Sequence, residues 1–419
     1  MSRSGPRVLI AGAGCAGPEV ATFLRSAGFN GPVRLIGDEP HAPYQRPPLS
    51  KAYLSGAAAR PLRGADFYRS KGIELTLGER VAGIDRARRR VRLASGSWLD
   101  YDRLVLALGA APRRLAVPGA DLAGVRVLRT VGDADALRAD LAGPSRRVVA
   151  VGGGFLGLEV AASARELGHD VTVVESAYRP LTRGVSATVA EHLVGVHADR
   201  GVRIVARAEV RAVHGDPAGR VGSIELDDGR LLPADVVLVA VGAVPRTGLA
   251  ADAGLVVDNG IVVDPALRTS DPRILAVGDC ARIAGAVRLE SVQNAVDQAR
   301  HAAAGICAGA VPGGYRAVPT FWTAQYGHNL QIAGWPTGRE DVVAVGDRPG
   351  GRFSVLLFDG DRLRAVESVN RPVDHLAARA LLQTGLGPTP LTAALPGYTL
   401  MDDARSRGLL SGSAERRAG

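Results

Sequence analysis

Near the start of the chain, two short apolar runs typical of strands flank a segment whose apolar residues have the spacing of a helix. Residues 7–11 (RVLIA) form a short apolar run typical of a buried strand, and a helical apolar spacing covers about 18–26. A second apolar run follows at residues 32–36 (PVRLI). The first run enters the helix through a glycine-rich turn, GAGCAG, at residues 12–17. This order predicts a βαβ unit of the Rossmann kind.

The same order returns in the middle of the chain. Residues 147–151 (RVVAV) form the first apolar run, GGGFLG follows at residues 152–157, and a helical period covers 158–168. Residues 170–174 (DVTVV) form the next run, and Glu175 follows it directly. The pattern therefore predicts a second βαβ unit.

Each glycine-rich turn is followed about twenty positions later by an acid, Asp38 with Glu39 in the first unit and Glu175 in the second. In such units the glycines permit a tight turn, a close approach to a pyrophosphate and close helix packing, and the acid accepts from a ribose hydroxyl. One such turn also occurs without a ligand, but two in register with strand, helix and acid indicate two bound dinucleotides. A 2′-phosphate would meet the charge of Glu175, which favours NADH over NADPH, although Arg179 or Arg183 could bind a phosphate.

The rest of the chain reads mainly as short strands and turns, with a few further helices. The predicted segments are strands at 72–109 and 201–245, a buried strand delivering Gly278-Asp279, a helix at 290–307, strands at 319–372 and a helix at 372–384. At a strand end, Asp279 could accept from a sugar-alcohol chain, and the N-terminus of the 290–307 helix could face a flavin. An ordinary helix start explains the same residues. The fold class is predicted to be α/β.

Composition is that of a globular protein, with 419 residues, 46% hydrophobic and 22% charged. No apolar run has membrane-spanning length and the N-terminal run is too short for a signal peptide, so we expect a cytoplasmic protein without membrane contact. Cys15, Cys280 and Cys307 are the three cysteines, and no two have the spacing of a redox pair or a zinc site. We expect no metal.

The formal net charge is +9, which permits an acidic partner. The basic residues are nearly all arginine, with lysine only at Lys51 and Lys71, so base composition explains the total charge better. Arginines spread along the chain with few aromatics argue against a nucleic-acid surface. Arg86 and residues 88–90 could dock a partner, but a solvated hairpin face is the stronger interpretation.

Several strings resemble the FAD-dependent NADH:ferredoxin reductases of oxygenase systems, within the pyridine nucleotide-disulfide oxidoreductase superfamily. The resemblance covers nearly the whole chain through GAGCAG, PYQRPPLSKAYL, YDRLVLALGAAPR, VGGGFLGLEVAASARELG, VTVVE, TSDPRILAVGDCA, LESVQNAVDQA and FWTAQYGHNLQIAG. PPLSK and ESVQNA are more specific than the glycine loops. Leu108 stands where the family usually has the threonine of an Ala-Thr-Gly turn, so a hydroxyl contact with FAD is in doubt. The glycine of that turn is kept as Gly109.

The resemblance implies two glutathione-reductase-like dinucleotide-binding domains and a small α+β C-terminal domain. It implies an FAD-binding domain at 1–112 and 246–318, an NAD-binding domain at 113–245, a C-terminal domain at 319–402 and a mobile tail at 403–419. The residues it assigns to FAD are Gly12, Gly14, Ala16, Gly17, Asp38, Arg46, Lys51, Val81, Arg129, Asp279, Val292 and Trp322. Those it assigns to NADH are Gly152, Gly154, Phe155, Gly157, Glu159, Glu175 and Arg183.

By the same resemblance, Val81 and Val292 act through backbone groups, Phe155 covers the flavin until nicotinamide displaces it, and Trp322 lies beside the ring. Lys51 and Glu159 are the expected catalytic pair, a compact ammonium and a carboxylate near flavin N5. We expect a hydride to pass from NADH to FAD, and single electrons to pass to an iron–sulfur ferredoxin. That ferredoxin would feed a haem-thiolate monooxygenase or a Rieske oxygenase.

Two other functions stay open. An NADH oxidase, peroxidase or coenzyme A–disulfide reductase would need a redox cysteine after the PPLS segment, where this chain has LSKAYLSGAAAR. A flavin-bound NAD sensor that resembles apoptosis-inducing-factor proteins is compatible with the basic isoelectric point.

Overall fold

The structure is a computed structural model that describes residues 5–64, 66–308, 314–338 and 340–410. The strands are β1 (Val8–Ala11), β2 (Val33–Gly37), β3 (Ile73–Leu77), β4 (Val81–Asp85), β5 (Arg90–Leu93), β6 (Trp98–Asp100), β7 (Arg103–Leu106), β8 (Ala110–Pro112), β9 (Val125–Arg126), β10 (Arg147–Val151), β11 (Asp170–Glu175), β12 (Arg203–Ala206), β13 (Val210–Gly215), β14 (Val221–Leu226), β15 (Leu231–Pro233), β16 (Val236–Val239), β17 (Ala243–Pro245), β18 (Ile261–Val263), β19 (Ile274–Ala276), β20 (Ala281–Ile283), β21 (Thr320–Gln325), β22 (His328–Gly334), β23 (Asp341–Asp347), β24 (Arg352–Asp359) and β25 (Arg362–Val369). The α-helices are α1 (Ala16–Ser26), α2 (Phe67–Ser70), α3 (Val131–Leu141), α4 (Phe155–Glu166), α5 (Ala187–Asp199), α6 (Gly248–Asp252), α7 (Val292–Ala308), α8 (Pro372–Thr384), α9 (Pro390–Ala393) and α10 (Leu400–Ser406). Short 3₁₀ helices occupy Pro47–Ser50 and Gly278–Cys280.

The chain forms two compact units. The first contains residues 1–46, 59–111 and 243–317, and the second contains residues 47–58, 112–242 and 318–419. The chain passes from one unit to the other after residues 111, 242 and 317, close to the domain boundaries predicted at 112, 245 and 318. Residues 47–58, which include the PPLSK string, group with the second unit, an arrangement that the sequence did not predict. The division of this unit into NAD-binding and C-terminal domains stays a prediction.

The first unit is built on a five-stranded parallel sheet with the order β19-β7-β1-β2-β3. All four residues of β1 are buried, which explains why this strand is a continuous apolar run rather than an alternating one. Ile10, Leu35 and Leu104 are fully buried in its core, and Val20 of α1 and Ala299 of α7 belong to the same cluster. The sheet thus presents the β1–α1 turn at the carboxyl end of its strands.

The second unit contains a parallel sheet, β12-β11-β10-β16-β9, and an antiparallel one, β21-β22-β25-β24-β23. In the antiparallel sheet β24 is buried along its length except at its two ends, and its Leu356 and Phe358 share a core cluster with Leu381 of α8. Helix α8 begins with Pro372 and ends before Gly385, which has φ 71°. A proline at the first turn and a left-handed glycine after the last are standard helix limits.

The predicted α/β class is confirmed, and the predicted helix at 372–384 coincides with α8. Helix α4 begins at Phe155 rather than at residue 158, because the glycine turn itself leads into the first helical turn. The start of the predicted tail, residue 403, lies inside α10, whose Leu400 and Ala404 are buried, and residues 411–419 lie outside the described residues. No helix in the described ranges is both long and apolar enough to cross a bilayer.

Candidate functional site

The first glycine loop joins β1 to α1, and its three spaced glycines have different neighbours. A Cβ atom on Gly12 would lie 2.2 Å from the carbonyl oxygen of Ala107, and one on Gly17 would lie 1.9 Å from that of Gly12. The fold therefore requires both glycines. For a Cβ atom on Gly14, the nearest atoms in the described residues belong to the Arg46 guanidinium, at 3.8 and 4.0 Å. Among the described residues, a Cβ atom there would thus meet only the flexible end of the Arg46 cation.

The second glycine loop, between β10 and α4, repeats this arrangement. A Cβ atom on Gly152 would lie 2.5 Å from the carbonyl oxygen of Ala240, and one on Gly157 would lie 1.9 Å from that of Gly152. Nothing in the described residues lies within 4 Å of such an atom on Gly154. In Rossmann turns the middle glycine lets the backbone approach the pyrophosphate. Both loops therefore fit a dinucleotide.

We expect Gly154→Ala and Gly157→Ala to separate ligand binding from folding. Gly154 has φ −78° and ψ −175°, which alanine adopts without strain, so the free energy of unfolding changes by less than about 0.5 kcal/mol. Because its new methyl group occupies the open side, pyridine nucleotide binds at least about tenfold more weakly. Gly157→Ala overlaps a backbone oxygen and loses about 1–3 kcal/mol of stability or more. Urea unfolding and NADH titration measure both effects. Unchanged NADH affinity in Gly154→Ala would contradict the assignment.

The acid of the second unit is held beside its glycine loop. Glu175 ends β11, and its carboxylate accepts from the backbone N–H of Gly153 at 2.7 Å and of Ala177 at 2.8 Å. The Ser176 hydroxyl also donates to Oε1 at 3.4 Å, so Oε2 is the oxygen that keeps a further acceptor site for a ribose hydroxyl. Arg179 donates instead to backbone carbonyls within its own loop, those of Pro180, Leu181 and Val185 at 3.0 Å each. Arg179 is thus part of the loop structure.

In the first unit, the two adjacent acids have different surroundings. Glu39 accepts from the Arg46 guanidinium at 2.7 Å and from the Tyr44 hydroxyl. Asp38 is half-exposed and lies 3.4 Å from the Arg246 guanidinium. Arg46, predicted to contact FAD, therefore lies between the Glu39 carboxylate and the open side of Gly14. A guanidinium beside an open glycine suits a phosphate.

The predicted Gly278-Asp279 turn lies close to the same loop. The Gly278 N–H donates to Gln298 Oε1 of α7 at 2.7 Å, and a Cβ atom on Gly278 would lie 3.2 Å from the Cβ of Ala16. Val292 is the first residue of α7 and is exposed, and its backbone contact with FAD stays a prediction. The structure thus brings together Gly14, Ala16, Arg46 and Asp279, whereas Val81 begins β4 in a separate three-stranded sheet.

The predicted pair Lys51–Glu159 is present in the second unit. Lys51 follows the 3₁₀ helix Pro47–Ser50, Glu159 lies on the second turn of α4, and Nζ lies 2.5 Å from Oε2. Glu159 is buried, and about a fifth of the Lys51 side chain is exposed. The Lys51 ammonium also lies 5.2 Å from the centroid of the half-exposed Trp322 ring, within cation–π distance.

Sequence reasoning missed two further partners of Glu159. The Ser50 hydroxyl donates to Oε2 at 2.5 Å, and the Thr323 hydroxyl donates to Oε1 at 2.7 Å. A signal for Thr323 existed in β21, where side chains alternate between faces. Thr323 and Gln325 share the buried face while Trp322 is exposed, which is the reverse of an ordinary strand.

The remaining predicted residues take ordinary places in the second unit. Arg129 precedes α3, and its backbone N–H donates to Asp133, which forms a capping box with Thr130. Phe155 is partly buried at the start of α4, and Arg183 is exposed in the loop after Glu175. The predicted FAD contacts of Lys51, Arg129 and Trp322 stay predictions.

Local pairing occupies most of the arginine run at 86–90. Arg86 lies 3.1 Å from Asp271, while Arg88 and Arg90 both reach Asp85, at 3.2 and 3.3 Å. Arg90 also covers the Trp98 ring at 4.1 Å. These contacts favour the hairpin interpretation over a docking surface.

None of the chain's three cysteines, all of which lie among the described residues, forms a disulfide. Cys280 is buried, and this burial raises the pKa of its thiol to about 11. Cys15 is partly buried, whereas the exposed Cys307 also has a raised pKa because of desolvation. A thiolate nucleophile or a disulfide relay therefore has no support among these residues.

Comparison with known proteins agrees with the two loops and the small C-terminal sheet. A family profile described as pyridine nucleotide-disulphide oxidoreductase matches residues 6–299, and one described as reductase C-terminal matches residues 320–402. The chain is 47% identical to rhodocoxin reductase of Rhodococcus erythropolis, over 94% of this chain and 93% of that protein. It is 41% identical to putidaredoxin reductase CamA of Pseudomonas putida, over 91% and 93%.

Solved structures give the same relationship. The ferredoxin reductase for the CYP199A2 system from Rhodopseudomonas palustris has a TM-score of 0.92 and 41% identity, covering 96% of this chain and 100% of that one. A covalent putidaredoxin reductase–putidaredoxin complex has a TM-score of 0.91 and 40% identity, covering 96% of this chain and 99% of that one.

Proposed function

The chain belongs to the pyridine nucleotide-disulphide oxidoreductase family, and from this premise we propose that it is an FAD-dependent NAD(P)H:ferredoxin oxidoreductase. The family predicted from the sequence is thereby confirmed. The observation that carries the proposal is the repeated loop. In both loops the fold requires the first and third glycines, whereas a Cβ atom on the middle one would meet only the end of the Arg46 side chain in the first loop and nothing in the second, among the described residues. Two such loops provide for two dinucleotides.

The first unit is proposed to hold FAD. Gly14 and Arg46 would face its pyrophosphate, and Asp279 would accept from its sugar-alcohol chain. The other first-unit residues of the proposal are Gly12, Ala16, Gly17, Asp38, Val81 and Val292. When bound, FAD accepts a hydride, which carries two electrons, and can release the electrons singly.

The second glycine loop is proposed to hold NADH. Gly154 faces the open side of the loop, and Glu175 is available to a ribose hydroxyl. A 2′-phosphate would meet the Glu175 charge, and the Arg179 guanidinium already donates to its own loop carbonyls, which leaves it fewer N–H groups for such a phosphate. Arg183, the other arginine that the sequence offered for a phosphate, is exposed. NADH is therefore the proposed donor, and NADPH the weaker one.

The proposed electron acceptor is an iron–sulfur ferredoxin. Because none of its three cysteines, all of them described, forms a disulfide, the chain offers no disulfide through which electrons could leave. The relatives named above are reductases of rhodocoxin and putidaredoxin, and the second solved structure is a reductase–putidaredoxin complex. The ferredoxin would pass its electrons to a haem-thiolate monooxygenase or a Rieske oxygenase. Location in the cytoplasm stays a prediction.

The proposal is tested by steady-state kinetics with a panel of ferredoxins. We expect cytochrome c reduction to need an added ferredoxin, and kcat/KM to be at least about tenfold higher with NADH than with NADPH, because like charges repel at Glu175. Because the chain has a formal net charge of +9 and its ferredoxin is expected to be acidic, salt should screen their attraction. The rate of ferredoxin-dependent cytochrome c reduction is therefore expected to fall as ionic strength rises.

Each alternative function gives a different result in this assay. Rapid oxygen consumption without ferredoxin would indicate an oxidase. A flavin that is reduced slowly and then stays locked with bound NAD would indicate a sensor. Either outcome would overturn the ferredoxin reductase proposal.

A further inference from the structure

A continuous file of buried polar side chains leads away from Glu159. The Thr323 hydroxyl lies 2.7 Å from Glu159 Oε1, Gln325 Nε2 lies 3.0 Å from Thr323 Oγ1, and His197 Nε2 lies 2.7 Å from Gln325 Oε1. All four residues are buried, and His197 and Thr323 are fully inaccessible. The file joins α4, β21 and α5 within the second unit.

The charge of Glu159 determines the direction of every hydrogen bond in this file. A carboxylate paired with Lys51 can only accept, so the Thr323 hydroxyl must donate to it. The Thr323 oxygen must then accept from the Gln325 amide, which turns the Gln325 carbonyl toward His197. His197 must therefore carry its proton on Nε2.

The surroundings of His197 are consistent with that tautomer. Desolvation lowers the pKa of His197, which keeps the ring neutral. Its Nδ1 atom is buried without a hydrogen-bond partner in the described residues, as an unprotonated nitrogen can be at lower cost than an N–H. The Tyr326 ring packs edge-on against the imidazole at 5.1 Å.

Strand β21 also contacts the other member of the pair. Trp322, on the face opposite Thr323, places its ring 5.2 Å from the Lys51 ammonium. The strand thus touches Glu159 through one residue and Lys51 through the next. A shift of this strand would move both charges.

We propose that Thr323, Gln325 and His197 are positioning residues that orient the Lys51–Glu159 pair for flavin reduction. The inference rests on the proposed function. His197 donates to Gln325, Gln325 donates to Thr323, and Thr323 donates to Glu159, whose other oxygen is left to Ser50 and Lys51. None of the three positioning residues exchanges a proton during turnover.

A test is available because the chain has only two lysines, Lys51 and Lys71. Labelling the FAD-loaded protein with ¹³C,¹⁵N-lysine gives two Nζ–Cε signals, which Lys71→Arg assigns. We expect the Lys51 signal to lie apart from that of the exposed Lys71, and to move in Thr323→Val and Gln325→Leu. In Thr323→Ser, which keeps the hydroxyl, the Lys51 signal should stay at its position in the parent protein.

The same helix offers a matched control. His192 of α5 contacts His328 of β22 at 3.1 Å, so His192→Leu removes a comparable polar contact that does not lead to Glu159. We expect this variant to leave the Lys51 signal in place. Rapid mixing with saturating NADH should show flavin reduction about tenfold slower in Thr323→Val and Gln325→Leu but not in His192→Leu. The dissociation constant of NADH should be unchanged in all of them.

The outcomes distinguish this inference from the proposed function. A Lys51 signal that stays in place in Thr323→Val and Gln325→Leu overturns the inference, whatever happens to turnover. A signal that moves while flavin reduction keeps its parental rate overturns the positioning role as well. If NADH fails to reduce the parent protein's flavin, the proposed function falls, while a moving Lys51 signal still supports control of the pair by these residues.

Discussion

Lys51→Met will lower the rate of flavin reduction by NADH by about a hundredfold or more, while the protein stays folded. Methionine is also unbranched, is one atom shorter, and removes the ammonium that lies 2.5 Å from Glu159. Removing one preorganised polar group from a reacting centre costs about 10²–10³ in rate. Rapid-mixing absorbance at saturating NADH measures the reduction step directly.

The stability cost of this substitution is smaller than for a fully buried pair. Breaking a buried ion pair costs about 3–5 kcal/mol, but Lys51 is about one-fifth exposed, and Ser50 and Thr323 still donate to the carboxylate. Lys71→Met is the matched control, because Lys71 is exposed at the end of α2. Lys51→Arg should recover little, since a planar fork replaces a compact charge. A parental reduction rate in Lys51→Met would remove Lys51 from the mechanism.

Glu367→Gln will abolish a loss of stability of about 3 kcal/mol that the parent protein suffers between pH 5 and pH 8. Glu367 is fully buried in β25, and its carboxyl group contacts the backbone N–H of Ser186 at 2.8 Å and the Ser186 hydroxyl. Burial raises its pKa to about 7, with a further rise from Glu340, against opposing contributions from Ser186 and Arg179.

The sign follows from the direction of that pKa change. The folded protein holds the proton more tightly than the unfolded chain, so the stabilisation is complete below the ordinary glutamate pKa of 4.5. It is lost as pH rises toward 7 and stays lost above that value. At about 1.4 kcal/mol per pH unit, the loss amounts to about 3 kcal/mol. Glutamine stays neutral and can still bond to both Ser186 groups, so its stability lacks this decline.

The measurement is the difference in unfolding free energy between variant and parent at several pH values. The difference is needed because burial also lowers the pKa of His375 to about 4, which makes stability rise between pH 4 and about 6.5 in both proteins. Urea midpoints at pH 5, 6, 7 and 8 should show the variant gaining on the parent up to about pH 7, with little further change at pH 8. A constant difference across that range would show that Glu367 is ionised in the folded protein throughout.

Local pattern predicted those parts of the site whose contacts are close in sequence. The clash that requires a glycine at position 17 involves Gly12, five positions earlier, so the spacing of the two glycines alone predicts this requirement. Spacing could not distinguish between the adjacent acids Asp38 and Glu39, because the choice depends on where Arg46 and Arg246 lie.

Contacts between residues that are distant in sequence could be found only from the family resemblance or from the structure. The Lys51–Glu159 pair was predicted only because the PPLSK string resembles a family. Thr323 was missed because its hydrogen bond to Glu159 spans 164 positions, and a threonine within a strand is unremarkable on its own. Helix α3 was also missed, since its apolar residues are interrupted by aspartates and its capping box at Thr130 was not recognised.

The chain changes units at residues 46, 58, 111, 242 and 317, and this connectivity decides what fragments can be made. No single cut yields either unit, because residues 47–58 belong with a unit whose other parts begin 54 positions later, at residue 112. A truncated gene ending near residue 111 would leave Lys51 without Glu159 and β7 without its neighbour β19. Split-protein reassembly or domain exchange in this enzyme therefore needs circular permutation or co-expressed pieces.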